Sequence, residues 1–262
     1  MNAKQHAKEL LKDAFPSLWL RWHLMHRPRS AERELSYLRK VVPENAVTVD
    51  VGANCGLYTR QLARLSRQVH AFEPSRQMAR LLRRTSASNV SVHEVALSDH
   101  GGDAELFIPQ GNDGLVYGLA SLEPRPDSSG KLVSTQVPIA RLDAVVQQEV
   151  AFVKIDVEGH ELSVLNGAVE LLDRCQPVFL VEAEDRHHAE ATRLVFEFFR
   201  NRSYRGFFLK DDEVLAVEEF RVENLQDAKA LQPNGGRKSG QLYVNNFFFF
   251  PPHLDGESIL SS

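Results

Sequence analysis

The sequence has 262 residues, a formal net charge of −4 and 43% hydrophobic side chains, values that are ordinary for a soluble globular protein. This charge gives no reason to expect nucleic acid as a partner. The only two cysteines, Cys55 and Cys175, exclude a disulfide framework. We find no secretory signal and no apolar run long enough to span a bilayer, and therefore expect a cytoplasmic protein.

The first 40 residues form a basic leader with nine Lys/Arg against four Asp/Glu. Its apolar residues recur at near-helical spacing, which predicts a helical N-terminal extension packed on its own domain. The alternative is a peripheral membrane or lipid contact, because Trp19 and Trp22 lie beside basic side chains.

From Val47 onwards, strand-like and helix-like segments alternate along the chain. This alternation predicts a mostly parallel sheet with helices on both faces. Strands are predicted at 47–51 and within 68–74, 89–99, 152–159, 177–185, 204–211 and 241–250, and helices at about 57–67, 75–87, 160–174 and 188–200.

Two segments interrupt the alternation inside a single α/β domain that we place at residues 41–262. Residues 100–135 are rich in Gly, Pro, Ser and Asp and are predicted to be an insertion with a short strand or two. Residues 211–240 are predicted to be a loop between the last two strands. Both could reach the carboxyl edge of the sheet, where ligands bind in such folds. The run Phe247–Phe250 predicts a strand covered on both faces.

The stretch VTVDVGANCG (residues 47–56) indicates a nucleotide site. It reads as a buried strand that ends in Asp50 and continues into a loop with Gly52 and Gly56, which permit tight turns and close approach of a ligand. The next strand ends in Glu73, 23 residues after Asp50. A carboxylate at this position can bind ribose hydroxyls. These features predict a cofactor that contains adenosine.

The loop composition distinguishes between two such cofactors. It lacks the G-x-G-x-x-G pattern of dinucleotide sites, and Asp50 would repel phosphates. An acid there suits a cationic ligand such as the amino-acid part of S-adenosylmethionine. An NAD-dependent sugar-modifying oxidoreductase is the less favoured alternative, since no Tyr-x-x-x-Lys dyad occurs.

The motifs VDVGANCGLYT, AFEP, VALSD, RLD and VKIDVEGHE resemble those of FkbM-type S-adenosylmethionine-dependent methyltransferases, over roughly residues 47–185 and more weakly NFFFFP. The resemblance implies a Rossmann-like class I fold with a seven-stranded sheet, the last strand antiparallel. It also implies methyl transfer, most often to a hydroxyl of a sugar, polyketide or similar small molecule.

Cofactor contacts follow from the resemblance at matching positions. Glu73 would bind the ribose, Ala96 and Leu97 would lie near the adenine, and Asp156 would face the cofactor or the acceptor. The methionine part would be held by the first loop, at Asp50, Gly52, Ala53, Asn54 and Gly56.

Methyl transfer to oxygen requires an aligned nucleophile and a group that takes its proton. The candidates are His160, because histidine is the residue type suited to exchange protons at physiological pH, and the acids Asp156, Glu158 and Glu182. Three such acids could also surround a divalent cation, but the spacing does not require it and we expect no metal.

The sequence thus predicts an O-methyltransferase that acts on a sugar, a glycolipid or a natural-product small molecule. The non-enzymatic alternative is a cofactor-binding scaffold that docks through residues 1–40.

Overall fold

The computed structural model describes residue 15 and residues 33–111, 114–123, 131–186, 188–211, 213–232, 238 and 240–262. Its strands are β1 Val47–Val51, β2 Gln68–Phe72, β3 Val90–His93, β4 Ala96–Leu97, β5 Gly102–Gly111, β6 Gly114–Leu115, β7 Leu132–Ala140, β8 Phe152–Ile155, β9 Val178–Glu182, β10 Arg205–Lys210, β11 Glu213–Ala216 and β12 Asn246–Phe250. Its α-helices are α1 Leu38–Val41, α2 Leu57–Leu65, α3 Arg76–Thr85, α4 Leu142–Val145, α5 Glu161–Asn166, α6 Val169–Cys175, α7 Ala191–Arg200, α8 Val222–Leu225 and α9 Gly256–Ser261.

The main sheet has eight strands in the order β11-β10-β12-β9-β8-β1-β2-β3. Strands β3, β2, β1, β8 and β9 pair in parallel, whereas β12 runs antiparallel to β9 and β10. The prediction of seven strands is wrong by one. The additional strand β11 lies in the segment expected to be a loop, and it forms because it pairs antiparallel with the edge strand β10.

Helices cover both faces of the sheet, as predicted. Helices α5, α6 and α7 pack one apolar layer against the sheet, and α1, α2 and α9 pack another. The phenylalanines of β12 alternate between the layers: Phe247 and Phe249 belong to the first, and Phe248 and Phe250 to the second. The predicted strand with two covered faces is therefore confirmed.

A second, four-stranded sheet has the order β4-β7-β5-β6. Its long hairpin β5–β7 replaces the one or two short strands expected in residues 100–135. The hairpin is long because alternating apolar residues of β5 and β7 bury one face around Ala96, namely Leu106, Ile108, Val137 and Ile139.

The helix predicted over 160–174 is instead two helices, α5 and α6, separated near Gly167. A Cβ on Gly167 would lie 2.0 Å from the carbonyl oxygen of Ser98, so the chain there packs against the end of β4. Most of the predicted N-terminal extension, residues 1–14 and 16–32, lies outside the described residues. Among the residues that are described, no helix has the length and apolar character needed to cross a membrane.

Candidate active site

The loop after β1 turns through left-handed backbone conformations, with φ of +78° at Gly52 and +87° at Gly56. A Cβ on Gly52 would lie 1.8 Å from the backbone oxygen of Asp156, and one on Gly56 would lie 2.6 Å from Leu82 Cδ2. The expected tight turns at both glycines are confirmed by these φ values, and the close approach of a ligand stays a prediction. Their tightest contacts are with the protein, because the ends of β1 and β8 and the helices α2 and α3 pack there.

Glu73 follows β2 and connects it to this loop. Its Oε2 accepts the N–H of Asn54 and its Oε1 accepts the N–H of Ser75, each at 2.8 Å. Burial raises the pKa of the Glu73 carboxyl to about 7, although both backbone hydrogen bonds favour the ionised form. Glu73 thus fixes the shape of the loop and also lines the adjoining cavity.

This cavity lies at the carboxyl edge of the main sheet, where ligands bind in open α/β folds. Six predicted cofactor residues line it: Gly52, Asn54, Glu73, Ala96, Leu97 and Asp156. Three others, Asp50, Ala53 and Gly56, are buried and do not belong to the lining. The second sheet and residues 116–123 after β6, together called the hairpin sheet here, contribute a wall that no sequence motif identified. It is formed by Leu106, Tyr117, Gly118, Ala120, Ser121 and Leu122.

The Asp50 carboxylate is directed into the protein interior. It is 2% exposed and accepts the hydroxyl hydrogen of Thr59, in α2, at 2.5 Å. Burial raises the pKa of Asp50 to about 6, while the Thr59 hydrogen bond and the charge of Lys154 act in the opposite direction. Asp50 therefore anchors the first turn of α2 behind the cavity.

Asp156 and Glu158 line the cavity beyond β8. The N–H of Asp156 continues the pairing of β8 with β1 by donating to the Val51 carbonyl at 3.0 Å. Glu158 adopts a left-handed conformation, with φ of +56°. Its carbonyl accepts the Ser121 hydroxyl at 2.8 Å, and its carboxylate lies 3.9 Å from Arg186 Nη2.

Glu182, at the end of β9, completes a group of acids with Asp156 and Glu158, whose carboxylate oxygens approach within 4.8 Å of one another. Burial, followed by the charge of Asp156, raises the pKa of Glu182 well above its usual range. Carboxylates in such a group are typical ligands of divalent cations. Lys154 and Arg186 already offset their charge from within the chain, and we assign no metal here.

A hydrogen-bond network that the sequence did not reveal supports this edge. Asn245 Nδ2 donates to Glu182 Oε1 at 2.6 Å and to Glu184 Oε1 at 2.8 Å. Glu184 also accepts the Tyr243 hydroxyl at 2.6 Å and pairs with Arg186. The available signal was the run of polar residues at the end of β9 and before β12.

His160 lines the cavity, yet both of its ring nitrogens are engaged. Nε2 lies 2.9 Å from Ser98 Oγ, and Nδ1 lies 3.2 Å from Glu123 Oε1. These contacts connect the end of β4 and the hairpin sheet to the start of α5. The role of His160 as a general base stays a prediction, and its geometry favours a structural role.

The sequence matches the methyltransferase FkbM domain over residues 50–206, more than half of the chain. The chain belongs to the FkbM methyltransferase family. The family expected from the sequence is therefore confirmed, and with it S-adenosylmethionine as the cofactor. No curated protein matches this FkbM chain.

Similar solved structures include an FkbM methyltransferase from Methylobacillus flagellatus KT, with 16% identity, a TM-score of 0.48 and coverage of 79% of this chain and 44% of that one. An rRNA methylase from Streptococcus thermophilus has 14% identity, a TM-score of 0.44 and coverage of 85% and 95%. A Streptococcus mutans protein in complex with SAH has 12% identity, a TM-score of 0.43 and coverage of 86% and 98%. This chain therefore spans less than half the length of the Methylobacillus protein.

Proposed function

We propose that this protein transfers the methyl group of S-adenosylmethionine to a hydroxyl oxygen of a sugar, a glycolipid or a natural-product small molecule. The observation that carries the proposal is the pair of carboxylates, Asp156 and Glu158, that lines one side of the cavity. A hydroxyl nucleophile needs a protein group that aligns it and takes its proton. Carboxylates can do both.

The residues present fit the cofactor. Glu73 offers carboxylate lone pairs to the ribose, and the apolar side chains of Ala96 and Leu97 form a wall suited to adenine. When bound, the cofactor supplies a methyl group on a positively charged sulfur. The acids beyond β8 and β9 provide a negative environment for that charge.

We assign the proton of the attacking hydroxyl to Asp156. Its side chain is 32% exposed and lines the cavity, so an acceptor can reach it. Glu182 is the next carboxyl, because its oxygens approach those of Asp156 within 4.8 Å. Glu158 is held beside Arg186 and is suited to bind further acceptor hydroxyls.

The charge at the acceptor side supports a small molecule or glycan over a nucleic acid. Asp156, Glu158, Glu182 and Glu184 outnumber the adjacent cations Lys154 and Arg186, and such a surface repels phosphodiesters. Membrane contact through residues 1–40 stays a prediction, because most of that segment lies outside the described residues.

Calorimetric titration tests the cofactor site. We expect wild type to bind S-adenosylmethionine and S-adenosylhomocysteine but not NAD, and Glu73→Ala to weaken both by about 30-fold or more, as expected for a lost charged hydrogen bond with local rearrangement. The control Glu94→Ala removes a partly exposed acid that pairs with Arg83 and should leave affinity unchanged. NAD binding in place of the sulfur cofactors would refute the assignment.

Radiolabelled methyl transfer tests the acceptor. Purified enzyme is incubated with panels of sugars, glycolipids, polyketides and RNA. We expect label on hydroxyl-bearing small molecules, and a loss of about 100-fold or more in rate for Asp156→Asn, as for removal of a general base. Labelling of RNA alone would refute the proposed acceptor class and leave the cofactor site intact.

A further inference from the structure

Lys154 is a fully buried lysine on β8 that the proposed reaction does not use directly. It pairs in register with Asp50 of β1 and therefore lies on the same face of the sheet. Its Nζ lies 3.8 Å from Asp156 Oδ2, donates to the Ile155 carbonyl at 3.2 Å, and lies 5.0 Å from the ring centroid of Tyr58. A buried ammonium group is costly unless opposite charges surround it.

The surrounding charges come from three adjacent strands. Asp50 belongs to β1, Asp156 follows β8, and Glu182 ends β9. The charge of Lys154 lowers the pKa of both Asp50 and Glu182, against the larger effect of burial. Tyr58 and Thr59 of α2 face this group of charges from the neighbouring helix. The acids Glu73, Glu158 and Glu184 lie beyond.

We propose that Lys154 is a positioning residue that supplies the resident counter-charge of this edge and keeps Asp156, its ion-pair partner at 3.8 Å, ionised before the cofactor arrives. The positively charged sulfur then meets a site that is already negative. Without Lys154, one of the acids would take up a proton, and a cationic cofactor would have to displace it. The inference rests on the proposed cofactor site and not on the identity of the acceptor.

Proton counting tests this directly. Calorimetry at pH 7 in two buffers of different ionisation enthalpy measures the protons released when S-adenosylmethionine or the uncharged-sulfur product S-adenosylhomocysteine binds. For wild type we expect equal counts for the two ligands. For Lys154→Met we expect about 0.5 to 1 additional proton with S-adenosylmethionine, and about a tenfold loss in its affinity relative to the product, since an opposite charge this close shifts a pKa by about 1 unit or more.

Two variants separate charge from packing. Lys154→Arg keeps the charge and should restore the wild-type proton count. Lys40→Met is the matched control, because Lys40 Nζ also lies near a tyrosine ring, 4.7 Å from Tyr37, and donates to a backbone carbonyl, that of Leu260, at 2.8 Å. It should leave both ligands unaffected.

Each outcome decides a different question. Equal proton counts in Lys154→Met and wild type would overturn this inference and leave the proposed function standing. A wild-type protein that binds neither ligand would instead overturn the proposed function. If Lys154→Met does not fold, the double variant Lys154→Met/Asp50→Asn removes both charges and is expected to fold, and a double variant that also fails to fold would contradict the charge pairing.

Discussion

The carboxyl edge of the main sheet has a cofactor half, around Glu73, and an acceptor half, around Glu182 and Glu184. The two halves hold their carboxylates in different ways. In the cofactor half, Glu73 accepts backbone N–H groups from Asn54 and Ser75, which lie 19 and 2 positions away in sequence. In the acceptor half, Glu182 and Glu184 share one side-chain amide, that of Asn245, which lies 63 and 61 positions away.

This difference predicts which substitutions each half tolerates. Backbone donors are present whatever the side chains are, so the cofactor half depends on loop shape and therefore on its glycines. The acceptor half depends on particular side chains that only the folded sheet brings together. Substitutions in the two halves should therefore fail in distinguishable ways.

The largest effect is expected from Gly52→Ala, which attacks the loop shape of the cofactor half. The new Cβ would lie 1.8 Å from the Asp156 carbonyl oxygen, at a residue with φ of +78°. We expect a loss of about 3 kcal/mol or more in the free energy of unfolding, together with loss of S-adenosylhomocysteine binding. Urea unfolding and calorimetry measure both.

Gly101→Ala is the control for that change. Its nearest new contact is 3.8 Å away, and it should change stability by less than about 1 kcal/mol. Wild-type binding by Gly52→Ala would show that the loop tolerates a side chain and would remove the basis of the comparison.

The next effect concerns pH and a buried acid at the start of α5. Glu161 is 3% exposed, and its Oε1 accepts the Gly159 N–H at 2.9 Å. Burial raises the pKa of its carboxyl from 4.5 to about 7. The protonated form is therefore favoured by folding, and the stability that it contributes below pH 4.5 is lost as the pH rises through 7.

Glu161→Gln keeps a neutral hydrogen-bonding side chain at every pH. We expect it to gain stability over wild type between pH 5 and pH 8, by up to about 3 kcal/mol, measured by urea unfolding at each pH. The exposed acid Glu170 in the next helix provides the control Glu170→Gln, which should show little pH dependence. A constant difference between Glu161→Gln and wild type at all pH values would contradict the prediction.

Asn245→Ala tests the side-chain network of the acceptor half. It leaves Glu182 and Glu184 without their shared amide donor. We expect a loss of about 2 kcal/mol in unfolding free energy and reduced methyl transfer, with cofactor affinity within about twofold of wild type. Asn224→Ala, at an exposed position of α8, should change neither quantity. A loss of cofactor affinity as large as the loss of methyl-transfer rate would show that the two halves are not separable.

The smallest effect is expected where the hairpin sheet joins the two halves. Ser121→Ala removes the hydrogen bond to the Glu158 carbonyl and should cost about 1 kcal/mol while speeding the release of S-adenosylhomocysteine several-fold. Ser134→Ala, on the exposed side of the same hairpin, is the control. Stopped-flow release rates that match for the two variants would argue against a role of the hairpin in holding the cofactor.

The sequence by itself was sufficient for the parts of this protein that local patterns encode. The β-branched run before Asp50, the glycines at positions 52 and 56 and the spacing to Glu73 predicted the β1 loop and its neighbouring strand. The alternating environments of Phe247–Phe250 were readable for the same reason, since a strand places successive side chains on opposite faces.

Only the tertiary structure decided the features that depend on residues distant in sequence. Strand β11 forms because an open sheet edge is available to it, and the α5–α6 break occurs because Gly167 meets the Ser98 backbone. The engagement of both His160 nitrogens and the meeting of Asn245 with Glu182 also depend on long-range packing. Hydrogen bonds across more than 60 positions leave no periodic pattern in a sequence, so this acceptor half became visible only in the folded chain.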